Sequence, residues 1–336
     1  MPQTLKRLAG AATSAALIAG SIAAPATADP PSSQDTYSAL VGVTGLEGKH
    51  VHAPFADLAM YSHKSPSVPA ANNIFVTLPE TADSPITIED RSNGEQISMS
   101  LDPTVDDAGI EVLPNGHVSY MSENNYSTTP LVKTDGSVQV TTVIEDETAP
   151  AEYRYTLDLP AGSTLKETPS GGYMIVDSNG DYDGGIAPPW AVDSEGNEVD
   201  TSFHIEDGDT LVQTVRHDKN TAYPVVADPM WGKDLISSVK WISRNGVVSM
   251  SVTPTGWNRF NVGFEPAITA GWEEAKNKTP RTIISGKTYS RSTAATTQMF
   301  WQYRCHQVGA FAKGDWNLEP HRYRNTYQDY VFNLCN

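Results

Sequence analysis

The sequence predicts two parts of different class: an acidic, β-rich, sandwich-like region, then a small basic α+β domain stapled by a disulfide. Three observations carry this. Short alternating segments separated by turn dipeptides recur from Ile74 to Val215. The charge changes sign near residue 230: residues 29–230 hold 8 Lys and Arg against 33 Asp and Glu, and residues 231–336 hold 13 against 7. The only two cysteines, Cys305 and Cys335, both fall in the second part.

The first residues read as a targeting segment. Lys6 and Arg7 precede an apolar, Ala-rich run from Leu8 to Ala24, and Ala26-Thr27-Ala28 follows. A positive start, a short apolar core and an Ala-x-Ala site describe a secretory signal peptide, with cleavage expected after Ala28. No cysteine near that site supports a lipoprotein, and no later segment is long and apolar enough to span a bilayer. The expectation is therefore a secreted, extracellular protein of about two domains. Residues 29–73 give weak structural signals and read as a flexible N-terminus. Within them, His50-Val51-His52 would put two imidazoles on one strand face, but with no third ligand nearby they read as surface histidines.

From 74 to 230 the strand-like segments are IFVTL, ITIED, QISMS, HVSYM, VQVTTVI, YRYTLDLP, YMIVD, SFHIED and TLVQTVRH. Asn93-Gly94, Asn115-Gly116, Asp135-Gly136, Asn179-Gly180 and Asp207-Gly208 separate them, and such pairs tolerate the positive φ of tight hairpins. Many short strands at this spacing argue for an all-β sandwich or two smaller β modules. One loop offers hard oxygen ligands at alternate positions, Asn179, Asp181 and Asp183, as a calcium site requires. Trp190 stands where an EF-hand places its closing Glu, so a polar hairpin turn is the competing reading. Leu78-Pro79-Glu80-Thr81-Ala82 resembles a sortase pentapeptide but lacks the apolar segment and basic tail such a signal needs.

The segments VTTVIEDETAPAEYRYTLDLPAGSTL, APPWAVDSEGNEV and YPVVADP (Tyr223–Pro229) resemble the N-terminal region of many secreted actinobacterial proteins. YPVVADP is also similar to segments that precede other modules in large bacterial surface and toxin-type proteins. The resemblance covers Ile74 to Pro229 and implies a stalk or carrier without an active site.

The second part opens at Asp228-Pro229-Met230-Trp231-Gly232. Two alternating strands around Asn245-Gly246 predict a hairpin, and Ala267–Lys278, flanked by Pro266 and Pro280, predicts a helix. Ile283–Tyr289 reads as a strand, and Ser292–Lys313 and Arg324–Leu334 read as helices, the latter from Tyr327, Tyr330, Val331 and Leu334 at i, i+3, i+4, i+7. In an exported protein an isolated even pair of cysteines is most simply a disulfide, here tying two helices together. The competing reading is a Cys305–His306 nucleophile, for which adjacent positions about 100° apart on a helix are poor geometry. His306 with Glu319 forms a candidate base–acid set, and His321 with Arg322 a candidate phosphate contact. Against this, Trp316 and Leu318 read as core plugs, with Asn317 and Glu319 capping or pairing locally.

The pattern Gln302, Cys305, His306, Lys313, Trp316, Asn317, Leu318, Glu319, Pro320, Arg322, Cys335 and Asn336 resembles the actinobacterial domain of unknown function 2599, and the helix with Trp272 and Glu273 fits it too. That resemblance spans Leu235 to Asn336 and implies a fold family and secretion, with no activity. Secreted bacterial phospholipases A2 are also small and disulfide-bonded, but their catalytic His is followed by an Asp, and here His306 is followed by Gln307.

Two functions follow. One is a secreted binding module, carried by the β region and presented to an anionic cell-envelope component or a protein. The other is an exported antibacterial effector or hydrolase acting through the basic domain. The charge split also allows contact between the acidic and basic parts of the same chain. No cofactor is expected apart from calcium at the loop above.

Overall fold

A computed structural model describes residues 36–40, 67–69, 73–91, 94–102, 109–114, 116–260 and 263–335. Residues 1–28, read above as a targeting segment, with His50, His52, Asn93, Asn115, Asn336 and most of 29–73, lie outside the described residues.

Two antiparallel sheets face each other. One has seven strands in the order Ser67–Pro69, Ile74–Thr77, Ile86–Asp90, Glu95–Ser100, Glu152–Asp158, Thr210–Val215 and Thr201–Glu206. The other is built around Tyr126–Val132, Val138–Ile144, Tyr182–Ile186 and Met230–Gly232, and Val225–Asp228, the end of YPVVADP, pairs with Val138–Ile144. Ile74, Ile86, Ile97, Tyr153, Tyr155 and Leu211 from the first sheet pack in one core with Tyr126, Val138, Val140, Ile175 and Trp231 from the second. The Thr142 and Tyr155 hydroxyls bridge the sheets at 2.9 Å, and Tyr126 meets Tyr153 edge-on at 5.0 Å. The sandwich reading is therefore correct, and among the described residues the Asp135-Gly136, Asn179-Gly180 and Asp207-Gly208 pairs lie in turns between strands. Asp207-Gly208 and Asn245-Gly246 have positive φ at both residues, which L side chains other than Asn and Asp rarely accept.

The central strands depart from simple two-layer alternation. All seven residues of Tyr126–Val132 and of Val138–Ile144 are buried, because both faces are covered. Leu131 and Val143 point away from the main core and pack with Trp190, Val192, Leu113 and Leu40 of the short helix 36–40 (α1). Polar side chains on that outer face are buried as well. Gln139 Nε2 donates to Asp228 at 2.9 Å, and burial pushes the Asp228 carboxyl up to about 8. Leu78 and Ala82 of the sortase-like pentapeptide belong to the core, and the Tyr120 hydroxyl donates to the Pro79 carbonyl at 2.7 Å. That segment is a packed loop of the sandwich.

The C-terminal part is α+β, as its sequence suggested. The hairpin Ile236–Arg244 and Val247–Pro254 pairs with Trp316–Leu318 to make a three-stranded antiparallel sheet. Helices Glu265–Asn277 (α2), Arg291–Ala294 (α3), Thr297–Gly309 (α4) and Tyr327–Phe332 (α5) complete it, with a small hairpin at Thr282–Ile284 and Lys287–Tyr289. Trp241, Met250 and Val252 on one sheet face pack with Ile268, Trp272, Met299, Tyr303, Trp316 and Leu318. Gly271 on α2 is required by this packing, since a Cβ there would collide with the Tyr303 hydroxyl. The predicted helix over 292–313 is broken into α3 and α4, and the one over 324–334 shrinks to α5. Inside the first span Thr296 caps α4, its hydroxyl accepting the Met299 amide, and inside the second Thr326 starts a capping box.

The two parts join without a free linker. Met230–Gly232 pairs with Tyr182–Ile186 on one edge and Val138–Ile144 on the other. Lys233 follows, buried, its ammonium 2.6 Å from Asp183 and 3.5 Å from Glu95. The Glu274 carboxylate on α2 then accepts the amides of Leu235 and Ile236 at 2.8 and 3.0 Å. Lys278 Nζ lies 2.6 Å from Asp234 and 2.5 Å from Glu274. Burial, with Asp234 nearby, still holds the Glu274 carboxyl up at about 7. Alongside, Ala267 of α2 and Phe264 pack on Met174 and Val176 of the sandwich. Among the described residues, the acidic and basic parts thus touch through an apolar seam and a few specific ion pairs.

Candidate functional site

The stretch from 298 to 335 is where the sequence placed its candidate residues, and helix α4 organises it. Cys305 on α4 is bonded to Cys335 in the turn after α5, with Cα atoms 5.3 Å apart. Two glutamines one turn apart then do what a neighbouring strand would do. Gln302 Nε2 donates to the Glu319 carbonyl at 3.0 Å, and its Oε1 accepts the Glu319 amide at 2.7 Å. Gln298 treats Arg324 the same way, at 3.2 and 3.1 Å, and its Oε1 also accepts the Tyr330 hydroxyl. The irregular tail thereby has its buried main-chain groups satisfied by side chains instead of by a sheet ladder.

The candidate base–acid set does not assemble. His306 is 2% exposed, with Nδ1 2.9 Å from the Gln302 carbonyl one turn back and its ring 6.5 Å from Trp316. Burial, aided by Lys313, pushes its pKa down to about 4, so it is neutral at ordinary pH. Glu319 is buried and its carboxylate is held by Arg322 at 2.5 Å, with His321 3.9 Å away. Trp316 and Leu318 are fully buried core plugs, as expected, and Asn317 between them pairs with Ser251 across the sheet. Of the four candidates, His321 and Arg322 keep exposed side chains, at 53% and 43%.

Of the calcium candidates, the Asn179 side chain and the Asp183 carboxylate have partners of their own. Asp177, one turn residue earlier, accepts the amides of Asn179 and Asp181 at 2.8 Å each, and the Asn179 side chain at 3.0 Å. Asp183 lies on the strand Tyr182–Ile186 and is bound to Lys233. Among the described residues no group of three or more His, Cys, Asp and Glu is placed to hold a metal. Asp181 and Asp183 do line a cleft of about 730 Å³ with Asp234, Glu265, Glu273 and Glu274, at the seam between the two parts. Its lining is acidic, the reverse of the domain's net charge.

A second, smaller groove of about 380 Å³ lies in the C-terminal domain. Gly246, Val247, Val248, Tyr289, Thr293, Pro320 and His321 line it. Sequence reasoning singled out His321 and, in the family pattern, Pro320, but not the other lining residues, which come from a hairpin, a short strand and a helix. The available signal was the basic residues close in sequence to those positions. Arg244 is the cross-strand partner of Val247, Lys287 lies two residues before Tyr289 on one strand, and Arg291 lies two before Thr293. All three are exposed, as are Lys240 and Arg281, and none of these five makes an ion pair among the described residues.

Residues 236–336 match the family model described as "Protein of unknown function (DUF2599)". The match covers the C-terminal domain and leaves the sandwich outside it. No curated protein matches the chain. No helix among the described residues is long and apolar enough to cross a membrane.

Proposed function

We propose that the protein is a secreted binding module, exported by its N-terminal signal segment, whose β sandwich carries a basic domain toward an anionic component of the cell envelope. The observation that supports this reading is the set of cations Lys240, Arg244, Arg281, Lys287 and Arg291, exposed and without ion pairs among the described residues. Unpaired surface cations raise the local concentration of polyanions and supply charge-assisted hydrogen bonds on contact. A hydrolase reading would need a base open to substrate, and the buried, neutral His306 does not supply one.

The test uses the oxidised chain from Asp29 onward beside His306→Ala and Glu319→Ala. Retention on isolated bacterial envelopes that weakens with salt, with no hydrolysis of lipid, nucleic acid or wall polymer, is the expected result. Hydrolysis that both substitutions abolish, with the fold intact, would sink the binding reading.

A further inference from the structure

We infer that the open edge of the C-terminal sheet, the strand Ile236–Arg244, takes an extended acidic segment of a partner protein as an added strand. This rests on the binding reading above and names the place and the class of the anion. The three-stranded sheet has two edges of different character. At Trp316–Leu318, Gln302 closes the amide and carbonyl of the next residue, Glu319, from the side. Ile236–Arg244 is the other edge. Its loop, Asn245-Gly246, has positive φ at both residues, which makes Arg244 and Val247 the hydrogen-bonded closing pair. Ile242 with Ser249 and Lys240 with Ser251 follow in the same phase, so the main-chain groups of Val239, Trp241 and Ser243 point outward from the hairpin. Among the described residues no main-chain hydrogen bond reaches those three from outside it. Lys278 donates to the Ile236 carbonyl at 2.6 Å, so the open stretch begins beyond that residue.

The charge on this strand says which occupant fits. Residues 236–254 hold Lys240 and Arg244 and no Asp or Glu. Lys240, Ile242 and Arg244 alternate along the strand and so share one face, with both cations exposed. An added strand sets its side chains beside these three, so acid, apolar, acid at alternate positions is the complementary pattern. The carboxylates of neighbouring segments are engaged. Lys278 holds Asp234 and Glu274 at the start of the strand, while Arg322 holds Glu319 and the Thr253 hydroxyl donates to Asp315 at the two ends of Trp316–Leu318. A second copy of the chain would bring the same cations to the edge and be repelled, which is how charged edge strands keep like chains away. A phosphate polymer would meet the cations but leave the outward amides and carbonyls of Val239, Trp241 and Ser243 unused.

The intact oxidised chain is titrated calorimetrically with an eight-residue peptide that alternates Glu and Val. One control peptide carries Lys in place of Glu. A second keeps Glu but is N-methylated throughout, which preserves the charge and removes the main-chain donors. Binding of the Glu peptide and none of the Lys peptide is expected, and N-methylation should weaken binding at least tenfold. The double variant Lys240→Ala/Arg244→Ala should also weaken it at least tenfold. Lys166→Ala/Lys219→Ala removes the same charge from the sandwich and should change it less than threefold. Equal losses in the two double variants, or equal binding of the N-methylated peptide, would overturn the edge strand and leave the binding reading in place. No peptide binding by a chain that is retained on bacterial envelopes would overturn this inference alone, and no binding to either would overturn both.

Discussion

The sandwich and the C-terminal domain satisfy their main chains in opposite ways. In the sandwich nearly every buried segment is a strand between strands, and side chains are left to fill the core. In the C-terminal domain the sheet has three strands, and the tail beyond it is held by Gln298, Gln302 and a disulfide. The first arrangement spreads stability over many equivalent bonds, whereas the second concentrates it in a few named side chains. Single substitutions should therefore be felt more sharply in the tail than at exposed strand positions of the sandwich.

The largest effect is expected where the two parts meet. Lys233→Met leaves Asp183 buried without its partner and should cost about 3–5 kcal/mol in urea unfolding, since a lone buried charge is heavily penalised. A loss below about 1 kcal/mol would mean that the seam relaxes and the parts are not stabilised together. Next, Cys305→Ser/Cys335→Ser opens a loop with a sequence separation of 30 and should cost about 3 kcal/mol by the chain-entropy estimate. The cost should appear in the C-terminal domain's near-ultraviolet signal first.

Gln302→Ala should cost about 2 kcal/mol, because the Glu319 amide and carbonyl lose their partners together. A Gln302→Glu variant keeps the acceptor and loses the donor, so an intermediate cost would assign the effect to the paired bonds. The smallest effect is pH-dependent. Burial depresses the folded pKa of His306 to about 4 from its ordinary value of about 6.5, so its contribution is complete above pH 6.5 and is lost as pH falls toward 4. At pH 5.5 the wild type should have lost about 1.4 kcal/mol relative to pH 7.5, a slope that His306→Gln removes. Parallel pH profiles for the two proteins would show that His306 does not stay neutral on burial.

The sandwich was legible because its physics is periodic. VQVTTVI alternates along one strand, and Asp207-Gly208 announces a turn whose φ values L residues seldom reach. What could not be read was that Gln139 and Thr141, polar and outward, would be buried by a second covering layer. The tail was legible only where residues are bulky and apolar, as in Trp316 and Leu318. The clamps by Gln298 and Gln302 have no period, because each joins a helix to a segment about twenty residues away. His306 and Glu319 looked reactive since they stand beside a cysteine and an arginine in a short stretch. Their burial depends on α4 folding over Trp316, which no local pattern states.

The strand Met230–Gly232 has a mechanical meaning. It is gripped on both edges, by Tyr182–Ile186 and by Val138–Ile144, immediately before the chain enters the C-terminal domain. A pull along that strand loads the hydrogen bonds of two neighbours side by side, so the joint resists as a clamp in shear and does not peel open bond by bond. With Trp231 anchored in the main core and Lys233 tied to Asp183, the basic domain is mounted at a fixed angle. A domain carried on such a mount keeps its orientation on the sandwich when the chain is pulled.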